Sequence, residues 1–143
     1  MGQYRSQNRT RTTALSDADA NAIIVQGNTE LLVTKAEEVG KDLASDGLTK
    51  AQIRNIFGAV RQIDLSWSRR STEQKEADEA MRQLLLIKPR LAYQAKREPS
   101  VEGLKNVLTP TIDLIKGNRE NFQHFVDFFE AIVAYHTASG AKN

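Results

Sequence analysis

The sequence predicts an all-α, single-domain helical bundle of about five helices. Three observations carry this expectation. Helix-favouring Ala, Leu, Glu, Lys, Arg and Gln are abundant while aromatic residues make up 6% of the chain, apolar residues recur at three- and four-residue spacing, and strand-like alternation is missing. A chain of 143 residues can bury a core without metals or crosslinks. The bundle is expected over residues 16–143. Residues 1–15 hold Arg5, Arg9 and Arg11 among Ser, Gln, Asn and Thr. With little to bury, they read as a disordered basic tail.

The first helical signal runs from about Asp17 to Leu43, with a break at Gly27 and Asn28. Leu32, Ala36, Val39 and Leu43 repeat on one face, and Asp46 and Gly47 end it. Thr49 and Gln52 form an S/T-x-x-Q capping box that opens a second helix through about Arg69, with Ile53, Ile56, Phe57, Val60, Ile63 and Trp67 as its buried stripe. Ser71 and Gln74 repeat the capping pattern ahead of a helix carrying Met81, Leu84, Leu85 and Leu91. Pro89 is expected to kink that helix or to start a separate one, because proline lacks an N–H and crowds the preceding turn. Ser100 is a candidate cap for a fourth helix that contains Leu104, Val107, Leu108, Ile112 and Ile115, with Pro110 as a second kink. Gly117 closes it and Asn118 caps the last helix, Arg119 to Ser139. There Phe122, Phe125, Val126, Phe129, Ile132 and Val133 align, and Phe128 and Tyr135 widen the arc to about half the circumference. This is the expected spine of the bundle.

Charge is unevenly placed. The chain totals +2, yet Leu48 to Arg97 holds eleven basic against five acidic residues, while Ser16 to Gly47 holds two against seven. A protein that meets a polyanion with one side has such a layout. On the second helix Lys50, Arg54 and Arg61 fall within about 40° of one another at 100° per residue. On the third, Lys75, Arg82, Arg90 and Arg97 follow spacings of seven, eight and seven, thickened by Lys88 and Lys96. The two ridges are expected to converge into one electropositive trough. Taken one helix at a time, each ridge reads as an ordinary solvated face; only the two together favour a polyanion. Tyr93 lies near the phase of Arg90 and Arg97, where its ring could stack on an unpaired base or pack under the basic stems. Trp67 reads as core.

Several chemistries find no residues. Cysteine is absent, which excludes disulfides, zinc–thiolate sites and thiol catalysis. His124 and His136 are too far apart on one helix to chelate one metal, and no phosphate loop or Ser, His and Asp set stands out. No catalytic residue, metal site or cofactor is expected. His136 falls on the apolar side as a hydrogen-bonded core or interface residue. No stretch is long and apolar enough to span a bilayer, so a cytoplasmic protein with no membrane partner is expected.

Three blocks together resemble a known family: LTKAQIRNIFGAV (Leu48 to Val60), IKPRLAYQAKRE (Ile87 to Glu98) and FVDFFEAIVAYHTASGAKN (Phe125 to Asn143). Their order and spacing are similar to those of the small Csm subunit of type III-A CRISPR effector complexes. The resemblance implies a helical bundle stacked in several copies along a ribonucleoprotein that serves antiviral and antiplasmid defence. Its partners would be guide RNA, single-stranded target RNA, the other effector subunits and further copies of itself. It implies no catalytic residue in this subunit, and it places the family's basic positions on Arg54, Lys88, Arg90 and Arg97. Where relatives often have Ala-Gly-Arg, this chain reads Ala95, Lys96, Arg97. Where they tend to end in Tyr-Gly-Gly-Lys-Asp, it reads Ala-Ser-Gly-Ala-Lys-Asn from Ala138 to Asn143. A structural interaction module with no RNA contact, its basic flank meeting acidic patches on sister subunits, is the competing reading; a small helical enzyme is a third.

Overall fold

Local signals start most of the helices where the sequence places them. The computed structural model describes residues 14–143, so most of the expected tail lies outside the described residues. Leu15, assigned to the tail, is half-buried against the core. Helix α1 spans Asp17–Ile24, and the Ser16 hydroxyl accepts from the Asp19 amide at its start. Gly27, at φ +68°, takes the left-handed turn that ends this segment. Asn28 then caps α2, Thr29–Ser45, accepting from the Leu31 amide. The single helical signal before Gly47 is therefore two helices, which brings the described residues to six α-helices.

Helix α3, Lys50–Ser66, opens on the expected capping box: the Gln52 amide donates to Thr49 Oγ1 at 3.1 Å, and the Thr49 amide to Gln52 Oε1 at 2.8 Å. It stops three residues earlier than Arg69. Trp67 turns extended, and its carbonyl accepts from Arg119 Nε. Ile53, Ile56, Val60, Ile63 and Trp67 are buried, while Phe57 is half-buried with its edge against Phe129.

Helix α4, Gln74–Arg97, departs from expectation at three points. Its second capping box does not form: Glu73 holds the cap position without a side-chain bond, Ser71 Oγ accepts from the Glu73 amide, and the Gln74 side-chain amide donates to Asp78. The helix passes through Pro89 unbroken. Pro89 and Leu85 are both exposed, so the carbonyl that loses its partner faces water. Leu85 also lies outside the buried stripe, which is Ala80, Leu84, Ile87, Leu91 and Ala95. In the run Leu84 to Ile87, a 100° step lets only the first and last residues share one face.

A 3₁₀ turn, Pro99–Val101, precedes α5, Glu102–Asp113, with Pro110 inside it. Ser100 lies within that turn and Val101 holds the cap position, so the expected serine cap is not made. Lys116 and Gly117, at φ 51° and 73°, reverse the chain, and Asn118 caps α6, Arg119–Ala138, as expected. Phe122, Phe125, Val126, Phe128, Phe129 and Ile132 of α6 are fully buried. This helix packs on α1, α2 and α3, most extensively on α2. It is the spine. His136 is buried, with Nε2 2.7 Å from the Leu48 carbonyl, and the C-terminal segment returns to α3, where the Lys50 amide donates to the Lys142 carbonyl.

Candidate nucleic-acid interface

Helices α3 and α4 run antiparallel and leave a seam between them. Three clefts follow it: one holding Ser66, Glu76 and Gln83, one holding Ala59, Leu86 and Arg90, and one holding Gln52, Asn55, Tyr93, Gln94, Arg97, Glu98 and Val101. Arg90 bridges the seam, its Nη2 donating to Asn55 Oδ1 at 2.6 Å. One helical turn on, Tyr93 is 63% exposed. The Arg97 guanidinium lies 5.7 Å from the centre of its ring and donates from Nη1 to its hydroxyl at 3.4 Å. Across the seam Gln52 Nε2 donates to the Glu98 carboxylate. The structure thus joins Arg90, Tyr93 and Arg97 with two carboxamides of α3.

The cations of α3, and Lys88 of α4, lie elsewhere. Gln52, Asn55, Ala59, Ile63 and Ser66 define the side of α3 that faces α4. Lys50, Arg54 and Arg61 sit about half a turn away from that side at 100° per residue, on the flank beside α6. Arg54 is exposed and has no ion-pair partner among the described residues. Arg61 lies 3.9 Å from Asp64, a carboxylate whose other oxygen holds Arg119 at 2.7 Å. Lys88 points the other way along α4, to Asp113 of α5 at 2.6 Å. Arg82, exposed, pairs with Glu79, and Lys96 is exposed. The expected single trough is therefore two basic surfaces, the α3–α4 seam and the Arg54 flank. Packing sets the azimuth at which α4 docks on α3, and a helical wheel does not contain it.

Sequence reasoning overlooked Asn55 and Gln94 as cleft residues and treated Gln52 only as a cap. Their signal was weak, since exposed carboxamides on helices are common. It also missed Arg119. That side chain is 11% exposed, bonds Trp67 O and Asp64, and lies over the rings of Trp67 and Phe122 at 5.4 and 5.0 Å.

No group of three or more His, Asp or Glu residues positioned to hold a metal is found among the described residues, and no described helix is long and apolar enough to cross a membrane. The family model described as Csm2 Type III-A matches residues 26–142. The chain belongs to this family. It is thus a type III-A CRISPR effector subunit of the small Csm class, associated with the other subunits of that complex. The match begins just after α1 and covers the whole seam. No curated protein and no solved structure matches the chain.

Proposed function

We propose that this Csm2-family subunit is a non-catalytic, cytoplasmic component that lines the channel holding guide RNA and target RNA, in antiviral and antiplasmid defence, and that it stacks with further copies of itself. Its contacts are sequence-independent cations on phosphates, because a guide-directed machine leaves sequence to base pairing. The observation that carries the reading is the Arg90–Tyr93–Arg97 surface on the α3–α4 seam, where two guanidinium groups and an exposed ring share one solvent-facing strip. Single strands need a phosphate track with flat rings beside it. Lys96 and Arg82 extend the track on α4, while Lys50, Arg54 and Arg61 supply a second set of cations on the other flank. Lys88, held by Asp113, contributes least.

Charge reversal at Arg54, Arg61, Arg90 and Arg97 together is expected to weaken RNA retention in the assembled complex while helicity by circular dichroism stays intact. Unchanged RNA retention removes the proposal. One observation favours the competing reading, a purely structural module without RNA contact: Leu86, 54% exposed, lines the seam, and Leu65, 73% exposed, lies on the Arg54 side of α3, as at protein contacts. Assembly that resists high salt without RNA would support it.

A further inference from the structure

The end of the seam nearest the α4 C-terminus is a built cleft, with more in it than a phosphate track requires. Its volume is about 280 Å³, just under the range of about 300–1,000 Å³ typical of pockets for drug-sized molecules, so it suits a single ring system. One wall is the Tyr93 ring with the Arg97 guanidinium over it, and Val101, buried, lines the base. The opposite wall carries Gln52 and Asn55. Glu98, an exposed residue, borders the cleft. Gln52 uses its oxygen on the Thr49 amide and its nitrogen on Glu98 Oε1, so the capping box of α3 also positions this carboxylate. Asn55 spends its oxygen on Arg90 and keeps its amide nitrogen free to donate.

A carboxylate beside an aromatic wall repels a phosphate and favours a group that donates. The geometry points to a binding site for one unpaired guanine base of a single-stranded RNA, stacked on Tyr93 and Arg97, with its Watson–Crick edge on Glu98. Guanine alone among the four bases presents two adjacent donors on that edge, N1–H and the N2 amine, which match the two oxygens of a carboxylate. Its O6 accepts from a carboxamide such as Asn55 or Gln94. Adenine would bring its N1 lone pair against the carboxylate instead. Stacking on tyrosine and arginine planes with hydrogen bonds to a free base edge is how single-stranded RNA is read. This inference rests on the RNA-binding reading above and adds one base-selective position to an otherwise sequence-blind surface.

The test uses the full chain and two oligouridine heptamers, one with a central guanosine and one with a central adenosine, followed by fluorescence anisotropy at low salt. The guanosine heptamer is expected to bind about tenfold more tightly, within the discrimination of a good bidentate contact, and to shift the side-chain amide resonances of Asn55 and Gln94. Glu98→Gln is expected to bring the two affinities to within about a factor of two while salt-dependent binding persists. Free guanosine monophosphate is expected to bind at least about tenfold more weakly than the heptamer, because it lacks the flanking phosphates on the seam. Equal affinities for the two heptamers, with salt dependence intact, overturn the guanine site and leave the RNA-binding reading standing. Binding of neither heptamer overturns both. Inorganic phosphate that reproduces the amide shifts makes the cleft an anion site and overturns the inference, and guanosine monophosphate as tight as the heptamer overturns the assignment to RNA.

Discussion

Arg119 ties the end of α3 to the start of α6 through one guanidinium, which donates to a backbone carbonyl, pairs with Asp64 and covers two rings. Nothing in its sequence neighbourhood distinguishes it from Arg54 or Arg61, since Trp67 and Asp64, which draw it inward, lie more than fifty residues away along the chain. His136 was legible because its place on the apolar face of α6 already implied a buried ring with a hydrogen bond, and the Leu48 carbonyl supplies it. Asp42 near the C-terminal end of α2 is under electrostatic stress. Burial raises its carboxyl pKa above the ordinary aspartate value, and the charges of Asp46 and Glu38 add to the shift. A carboxyl raised on folding contributes stability below its unfolded pKa and loses it as pH rises through the folded value. Asp42→Asn is therefore expected to raise the melting temperature at neutral pH, and the gap from the parent chain to close on acidification toward the carboxyl range. A gap independent of pH would contradict this account.

Helix pairing shows where local patterns suffice and where they do not. The apolar faces of α2, α3 and α6 were readable from spacing alone because burial repeats with the helical period. The packing of α2 on α6 also depends on a missing side chain. A Cβ on Gly40 would stand 2.7 Å from Tyr135 Cβ and 2.8 Å from the His136 nitrogen, so glycine sets how closely the two helices approach. Gly40→Ala is expected to destabilise the fold by about 1–3 kcal/mol through overpacking, despite the higher helix propensity of alanine, as read by urea denaturation. A stabilised variant would mean that α2 shifts freely along α6. Helix α4 departs from its pattern at its start and along its stripe for opposite reasons. Its Ser-x-x-Gln pattern is spent on a turn instead of a cap, and four consecutive apolar residues give the periodicity no unique phase.

Across the whole molecule the basic charge is real but divided. The seam between α3 and α4 gathers Arg90 and Arg97, whereas Arg54 and Arg61 share the flank beside α6 with Asp64. Charge reversal of Arg90 and Arg97 together is expected to lower the slope of log affinity against log salt for oligouridine by about two, one for each phosphate the pair no longer neutralises. Reversal of Arg54 and Arg61 is expected to change it less, because Asp64 already offsets part of the Arg61 charge. A larger drop from the second pair would move the principal RNA surface to that flank.

The sequence by itself determined that the chain is helical, where most helices begin, most of the buried apolar residues and which family the chain belongs to. Each of these depends on spacing within one element or on an ordered series of short blocks. Only the tertiary structure decided which cations share a surface, that Gln52 holds Glu98 across the seam, and that Arg119 is part of the interior. Those outcomes depend on the azimuth at which one helix docks on another, which the summed packing of many side chains sets and no single element encodes.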